Sequence, residues 1–191
     1  AEPGQRAYVR RINIAGNNKT RDEVIRREFR QFETSWYDGE KLRSSRDRVD
    51  RLGYFKDVQI ETLEIPGNPD QVDILMTVVE KPTGNLSLGA GYNTSDKLSF
   101  QFGIKQENIF GSGNYLGIDV NTSKLNRTAI LTTIDPYFTQ DGVSRTLDAY
   151  YRTTRPTSAI DSDYSLLTIG SSLKFGLPIS PTDTIYLGGG I

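Results

Sequence analysis

The spacing of apolar residues along the chain changes near residues 81–84, where the sequence reads Lys-Pro-Thr-Gly. Before this stretch, apolar residues recur at the three- and four-residue intervals of amphipathic helices, between shorter alternating segments. After it, apolar and polar residues alternate through successive segments that are separated by turn residues, which is typical of β-strands. We therefore predict two domains with different folds, residues 1–82 and residues 83–191.

The first domain carries the pattern of a small α+β fold. Residues 8–14 predict a strand. A capping box with Thr20 as N-cap and Glu23 three residues later predicts one helix, and Asp38 predicts the N-cap of a second helix that ends at Gly53. The residues expected on the buried sides of these elements are Tyr8, Ile12, Ile14, Val24, Ile25, Phe29, Phe32, Leu42, Ser45, Val49, Leu52, Tyr54 and Phe55.

Two further strands complete this domain. The first runs from Val58 to Leu63, and the change in its apolar phase predicts a β-bulge after Ile60. Residues 65–70 contain two prolines and a glycine and predict a loop. The order strand, helix, helix, strand, strand favours a sheet with both helices on one face. The residues expected to be buried in the last strand are Val72, Ile74, Met76 and Val78.

From residue 83 onward the sequence predicts antiparallel strands. Most are close to the roughly 9–11 residues that a tilted strand needs to cross a bilayer. Further strands are predicted at residues 144–154, 164–177 and 184–191. The apolar alternation is carried by Leu86, Leu88, Ala90, Tyr92, Leu98, Phe100, Phe102, Ile104, Leu116, Ile118 and Val120, and it continues through Ile130, Thr132 and Ile134.

The predicted connections sort into two sets at opposite ends of these strands. One set is residues 93–97, 124–127 and 155–163, and the other is residues 108–113, 139–143 and 179–182. Phe110, Tyr137 and Phe138 lie near the second set, as expected for interfacial aromatics on the periplasmic side of a membrane. A soluble antiparallel sandwich also alternates. The long strands and the sorted connections favour a membrane barrel.

Composition narrows the classes of function. Charged residues make up 25% of the chain with a formal net charge of -1, which offers no general attraction for nucleic acid. The chain has 0 Cys and 0 His, which removes disulfides, thiolate nucleophiles, and histidine-based triads and metal sites. We therefore expect no enzyme, no cofactor and no metal site.

Several motifs, in order along the chain, resemble the BamA-type family of outer-membrane β-barrel assembly factors. Residues 8–17, 26–28 and 52–55 resemble its last POTRA domain, and residues 108–113 and 135–144 resemble turns after its second and fourth barrel strands. The resemblance covers nearly the whole chain. It implies an α+β POTRA domain (β-α-α-β-β) followed by antiparallel transmembrane β-barrel strands. Upstream POTRA domains and the strands that would close the barrel are absent, so we expect a partial barrel.

The resemblance also implies a role. Members of this family are non-enzymatic insertases that fold other β-barrel proteins into the Gram-negative outer membrane without ATP. The implied partners are unfolded outer-membrane β-barrel proteins, periplasmic assembly-complex lipoproteins and outer-membrane lipid. The N-terminal domain is expected in the periplasm.

The family's first barrel strand meets its last strand at a weak seam that can open. A free strand edge hydrogen-bonds an extended chain, and in lipid its groups have no water to bond instead. The first strand here contains Gly84, Gly89 and Gly91, which weaken it; alternatively, these glycines relieve crowding inside the barrel. The candidate substrate-strand edge comprises Asn85, Leu86, Ser87, Leu88, Gly89, Ala90, Gly91 and Tyr92.

The basic segment after residue 20 has two interpretations. Arg26, Arg30 and Glu33 are spaced by four and three residues, which predicts one shared helix face. Such a face is most often simply solvated. In the family, however, the last POTRA domain contacts a periplasmic helical-repeat lipoprotein, so we predict a docking surface here. The exposed edge of the POTRA sheet is a second candidate, because it can receive substrate strands.

Two other classes of function remain open from the sequence. A POTRA-barrel transporter of the two-partner secretion type would share the architecture, but it would need a channel-plugging helix that the sequence does not show. A soluble β-rich binding domain with an accessory α/β domain would share the alternation.

Overall fold

The computed structural model describes residues 6–94, 97–155 and 164–191. They form two compact units. One unit extends to Thr83 and also contains Phe110–Ser112, and the other comprises Gly84–Ile109 and Gly113–Ile191. The tip of the predicted 93–97 turn and most of the predicted 155–163 connection lie outside the described residues.

The first unit is a three-stranded sheet with two helices, in the predicted order. Strand β3 is central, with β1 parallel to it on one side and β2 antiparallel on the other. The elements are β1 (Tyr8–Ala15), α1 (Asp22–Arg26), α2 (Gly39–Arg51), β2 (Phe55–Ile65) and β3 (Asn68–Glu80).

The core of this unit lies between the sheet and the helices. Alternate residues of β3, from Val72 to Val78, are at most 8% exposed, and they belong to the same cluster as Val24 of α1 and Val49 of α2. Burying each aliphatic side chain contributes about 1.5–3 kcal/mol. Helix α2 begins as predicted, because the Asp38 carboxylate accepts the N–H groups of its first turn. None of the described helices has the length and apolarity to cross a membrane.

Helix α1 is shorter than predicted, and the predicted capping box is wrong. Its N-cap is Arg21 with no side-chain cap bond, because the N–H of Thr20 instead donates to Glu80 at 2.7 Å. Beyond Arg26, the backbone N–H of Arg30 donates to Ser45 Oγ of α2 at 2.7 Å rather than continuing the helix. Phe32, predicted to be buried, is therefore 63% exposed.

The irregularities of the two outer strands differ from the prediction: β1 has one that was not predicted, and the bulge predicted in β2 is wrong. In β1 the register shifts between Val9 and Arg11, and this irregularity turns Val9 into the core. In β2 the pairing with β3 runs unbroken from Asp57 to Glu64, so no bulge follows Ile60.

The second unit is a seven-stranded antiparallel sheet in which each strand pairs with the next along the chain. The predicted strands and, where described, the predicted turns between them are confirmed. The strands are β4 (Gly84–Asn93), β5 (Lys97–Gln106), β6 (Tyr115–Ser123), β7 (Asn126–Asp135), β8 (Ser144–Thr154), β9 (Leu166–Pro178) and β10 (Thr184–Gly190).

The register gives this sheet one apolar and one polar face. The apolar face includes Leu88, Phe102, Val120, Ala129, Tyr151 and Ile169, which are successive partners across the strands. The polar face includes Gln101, Asn121, Thr128, Arg152 and Thr168. Ile130, Thr132 and Ile134 were predicted to continue the apolar alternation, but their register places them on the polar face, where Ile130 pairs with Asp119.

Candidate functional site: a strand edge

Strand β4 forms one end of the seven-stranded sheet. It pairs with β5 over its whole length, from Gly84 opposite Gln106 to Asn93 opposite Lys97. Within the described residues, no strand pairs with its other side. All ten of its residues are exposed. The predicted edge residues, Asn85 to Tyr92, therefore lie together on one strand whose outer edge is unpaired within the described residues.

The hydrogen-bond alternation of the sheet identifies which backbone groups of β4 face the free side. Ser171 and Ile191 exchange both N–H···O bonds at 2.8 and 2.9 Å, so the odd-numbered residues of β9 bond toward β10. Residues of a strand bond alternately to its two neighbours, and the pairings from β9 to β4 are regular. The bond from Arg155 N–H to the Leu125 carbonyl, 2.8 Å, fits the same alternation.

Carried across the sheet, this alternation assigns the odd-numbered residues of β4 to bonds with β5. Ser87, for example, pairs with Gly103 in this way. The even-numbered residues direct their N–H and C=O groups to the free edge, and they carry the side chains of the apolar face. These residues are Leu86, Leu88, Ala90 and Tyr92.

The surroundings of the β4 glycines separate the two interpretations of them. A Cβ placed on Gly89 would meet its nearest described neighbour, Gln101 Cβ, at 3.7 Å, an ordinary contact. At Gly91 the nearest atom would be Ser99 Oγ at 3.1 Å, a tighter fit. At Gly84 the nearest atom would be Gln106 Oε1, closer still. Relief of crowding thus has no support from the neighbours of Gly89 and some support at Gly84 and Gly91. Gly89 weakens β4 without a local steric need.

The three predicted interfacial aromatics lie in different surroundings. Phe110 belongs to the first unit and is 82% exposed. Tyr137 and Phe138 lie in the turn between β7 and β8 of the second unit. The Phe138 ring packs against Phe175, with centroids 5.9 Å apart.

The prediction that Arg26, Arg30 and Glu33 share a helix face is wrong, because α1 ends at Arg26. Arg26 instead bonds Asp22 at 2.9 Å and the Ile12 carbonyl at 3.0 Å. Glu33 accepts the Ile12 N–H at 2.9 Å. Two of the three predicted docking residues therefore cover the backbone of β1. The Arg30 side chain is exposed, and a docking role for it stays a prediction.

The two edges of the POTRA sheet differ. Segment 34–37 covers the outer side of β1 through three backbone hydrogen bonds of 2.8–2.9 Å. The Val9 N–H donates to the Ser35 carbonyl, the Thr34 N–H donates to the Val9 carbonyl, and the Tyr37 N–H donates to the Ala7 carbonyl. On β2, Arg46 Nε donates to the Val58 carbonyl at 3.0 Å. Since β1 is covered, β2 is the candidate edge for strand addition in this unit.

Sequence reasoning missed the side chains that shape the α1–α2 connection. Gln31 is 1% exposed, and its amide donates to Ser35 Oγ and the Trp36 carbonyl while accepting the Asp38 N–H. Glu28 is 6% exposed and pairs with Arg48 of α2 at 3.0 Å. In the sequence Glu28 lies in an arginine-rich segment, between Arg27 and Phe29, and no local pattern marks it as buried.

Two carboxylates of β3 have shifted titration. The hydrogen bond from Arg10, supported by charge attraction, lowers the pKa of Asp73 and raises that of Arg10. Burial raises the pKa of Glu80, but hydrogen bonds from the N–H groups of Thr20 and Lys19 outweigh this, and the net pKa lies below its ordinary value. Both carboxylates are therefore held ionised by the fold.

Comparisons with known proteins agree with this architecture. Residues 7–81 match the POTRA family model, described as a surface antigen variable number repeat, and residues 108–191 match the Omp85 superfamily domain. These matches define a POTRA domain followed by strands of an Omp85-type outer-membrane barrel. BamA from Haemophilus ducreyi lacking POTRA domains 1-3 superposes with a TM-score of 0.82 at 33% identity, over 98% of this chain and 35% of that one.

The curated relatives are more specific. The chain is 41% identical, over 98% of its length, to the outer membrane protein assembly factor BamA of Neisseria meningitidis, and 32% identical, over 96%, to BamA of Nitratidesulfovibrio vulgaris. The chain belongs to the BamA family. It spans about a quarter of these relatives, 24% and 22% of their lengths. The predicted localisation follows from the family: the barrel strands belong to the outer membrane and the POTRA domain to the periplasm.

CdiB from Acinetobacter baumannii shares the fold, with a TM-score of 0.58 at 18% identity over 97% of this chain and 37% of that one.

Proposed function

We propose that this protein is a non-enzymatic insertase that assembles outer-membrane β-barrel proteins by pairing a substrate strand with the free edge of β4. The observation that carries the proposal is the direction of the β4 backbone: Leu86, Leu88, Ala90 and Tyr92 turn their N–H and C=O groups away from β5. Where lipid excludes water, these groups are strongly favoured to bond an incoming strand.

The outer-membrane relatives named as assembly factors favour this role over a two-partner secretion transporter. The side chains at the edge fit the same role. The groups that face away from β5 belong to residues of the apolar face, so a strand that bonds them continues the alternation of the sheet. The weakening glycine at position 89 makes β4 easier to displace from a previous partner. The proposed substrates are therefore unfolded outer-membrane β-barrel proteins.

Site-specific crosslinking tests the proposal. Single cysteines at positions 85–92 should crosslink to a stalled, nascent barrel substrate that carries one cysteine in its terminal strand. Cysteine at position 131 is the control, because Leu131 lies on the same apolar face of an inner strand, β7, that has partners on both sides. Crosslinks along β4 no stronger than those at position 131 would remove the support for templating.

We further propose that the POTRA domain docks a periplasmic assembly lipoprotein through a surface that includes Arg30. The change Arg30→Glu should reduce co-purification of the lipoprotein. Reversal at Glu33 is a poor test, because Glu33 also bonds the β1 backbone. Glu33→Gln, which keeps an acceptor for the Ile12 N–H, is the control for that structural role. Unchanged co-purification with Arg30→Glu would exclude Arg30 from the docking surface.

For the POTRA sheet itself, we propose that a substrate strand adds to β2. Cysteines at the exposed Gln59 and Glu61 of β2 should then crosslink to substrate. A cysteine at the exposed Arg11 of the covered strand β1 should not. Equal yields on both strands would contradict selective addition at β2.

A further inference from the structure

A positively charged side chain lies at one border of the apolar face of the seven-stranded sheet. Arg145 is the second residue of β8, and its register places it in a row with Asp135 of β7 and Phe175 of β9. Leu147, Ala149 and Tyr151 follow it on the same face. The row containing Arg145 therefore borders the band of apolar side chains at one end of the sheet.

The guanidinium of Arg145 rests on an aromatic surface. Its Cζ lies 4.6 Å from the centroid of the Phe138 ring. Phe138 is 47% exposed and packs against Phe175 at 5.9 Å. A cation–π contact of this kind uses the charge of the guanidinium and not its N–H donors, which remain available to an acceptor.

The Arg145 guanidinium also forms no ion pair with the described residues. No carboxylate oxygen of the described residues lies within 4.0 Å of its guanidinium nitrogens. Its cross-strand neighbour Asp135 turns one oxygen to the N–H of Tyr137, 3.1 Å away. The guanidinium of Arg145 is thus not ion-paired, although the Asp135 side chain lies on the same face of the sheet.

The row lies at one end of the strands, and the proposed outer-membrane placement puts the membrane boundary at that level. The turn between β7 and β8 lies at the same end of the sheet as the start of β4, the end that faces the periplasm. Apolar side chains of the face then extend from Leu147 toward the other end. Cationic and aromatic side chains at such a boundary lie at the level of the lipid phosphates.

We propose that Arg145, Phe138 and Phe175 form a binding site for the headgroup phosphate of an anionic phospholipid in the periplasm-facing leaflet. The guanidinium donates two hydrogen bonds to the phosphate oxygens, and the first part of the acyl chain packs against the two rings. The inference rests on the outer-membrane placement of the proposed function. Net negative headgroups are favoured because the guanidinium of Arg145 forms no close ion pair with a carboxylate of the described residues.

Lipid retention tests this site in the intact protein. The protein is reconstituted in phosphatidylcholine vesicles that contain a minority of phosphatidylglycerol, and the retained lipids are counted by native mass spectrometry. Arg145→Gln should lower the affinity for phosphatidylglycerol about fivefold, since it removes a charge-assisted bidentate contact. Phe138→Leu, which keeps an apolar contact and removes the ring, should lower it about twofold.

The matched control is Arg152→Gln. Arg152 lies on the same strand, but its register places it on the polar face. Its loss should leave phosphatidylglycerol retention unchanged. Heat-modifiable migration in gels checks that each variant has a folded barrel, and if Arg145→Gln does not fold, Phe138→Leu decides the question.

The outcomes test the lipid site and the proposed insertase function separately. Retention that falls with Arg145→Gln and not with Arg152→Gln supports the site. Equal retention in all variants, or equal retention of phosphatidylcholine and phosphatidylglycerol by the parent protein, overturns it. Insertion of a barrel substrate into pure phosphatidylcholine vesicles is measured in parallel. Its failure in the parent protein would count against the proposed function and would leave the lipid result standing.

Discussion

The direction of the β4 backbone leads to a prediction that distinguishes its two sides. Proline removes a backbone N–H and is tolerated on edge strands where that group is not bonded within the sheet. Leu88→Pro therefore deletes a donor that faces the free edge, and Ser87→Pro deletes one that bonds β5. The two substitutions lie next to each other and have opposite expected consequences.

The size of the effect follows from the surroundings of the lost bond. A backbone hydrogen bond is worth about 0.5–1.5 kcal/mol net in water and about 4–6 kcal/mol in an apolar medium. For one bond at a lipid-exposed edge we take an intermediate loss of about 1–3 kcal/mol, which weakens substrate pairing roughly fivefold to 150-fold. Ser87→Pro should instead destabilise the β4–β5 pair.

The assay combines two measurements on each variant. Crosslinking from a cysteine at position 90 to a stalled substrate reports pairing, and heat-modifiable migration reports the integrity of the barrel. Leu88→Ala controls for the loss of the leucine side chain. Leu88→Pro should give a folded barrel with weak crosslinking. If Leu88→Pro crosslinked as well as Leu88→Ala, the edge N–H would play no part in substrate pairing and the assigned direction of β4 would be refuted.

Three further predictions concern the stability of the POTRA domain, measured as hydrogen-exchange protection of β3 amides. Glu28→Ala should reduce stability by about 2 kcal/mol, because it removes the buried carboxylate that forms an ion pair with the partly buried guanidinium of Arg48 in α2; protection equal to the parent would contradict this. Glu80→Gln should destabilise the domain at pH 7. The difference in stability between parent and variant should shrink as the pH falls through the lowered pKa of Glu80, because a carboxylate whose pKa is lowered by folding contributes stability above its unfolded-state pKa and loses that contribution in acid. A difference that stays constant with pH would refute this linkage. Gly16→Ala should cost more than about 2 kcal/mol, because φ is +88° and a Cβ would clash with the Val78 carbonyl oxygen, whereas Gly67→Ala, at φ +85° with open space, should cost about 1 kcal/mol.

The sequence predicted the features that depend on local periodicity. Strand β8 was predicted at its observed bounds, and Asp38 caps α2 as its position indicated. The length of α1 was not predictable in this way, because the hydroxyl of Ser45 and the carboxylate of Glu80 lie far along the chain from the N–H groups that they accept. A capping box competes with such long-range acceptors, and only the folded structure shows which acceptor binds.

The candidate site, too, could be predicted only in part from the sequence. Membership of residues 85–92 in an edge strand was expected from the family resemblance. The backbone direction of each residue was not, because it depends on a register that passes through five strand pairs, from β4 to β9, to the bond between Ser171 and Ile191. The shared helix face of Arg26, Arg30 and Glu33 failed for a related reason: spacing implies a face only while the helix continues.

The difference in how this chain protects its strand edges supports a functional role for the β4 edge. Proteins protect exposed edges with covering segments, charged side chains or proline, because an open edge recruits other chains. The POTRA strand β1 has such protection, with segment 34–37 and the side chains of Arg26 and Glu33 bonded to its backbone. Residues 85–92 contain neither a charged residue nor a proline. The side chains that protect the β1 backbone lie 14 and 21 residues further along the chain than Ile12, whereas residues 85–92 carry no charged side chain or proline of their own, and this difference supports the proposed use of the β4 edge.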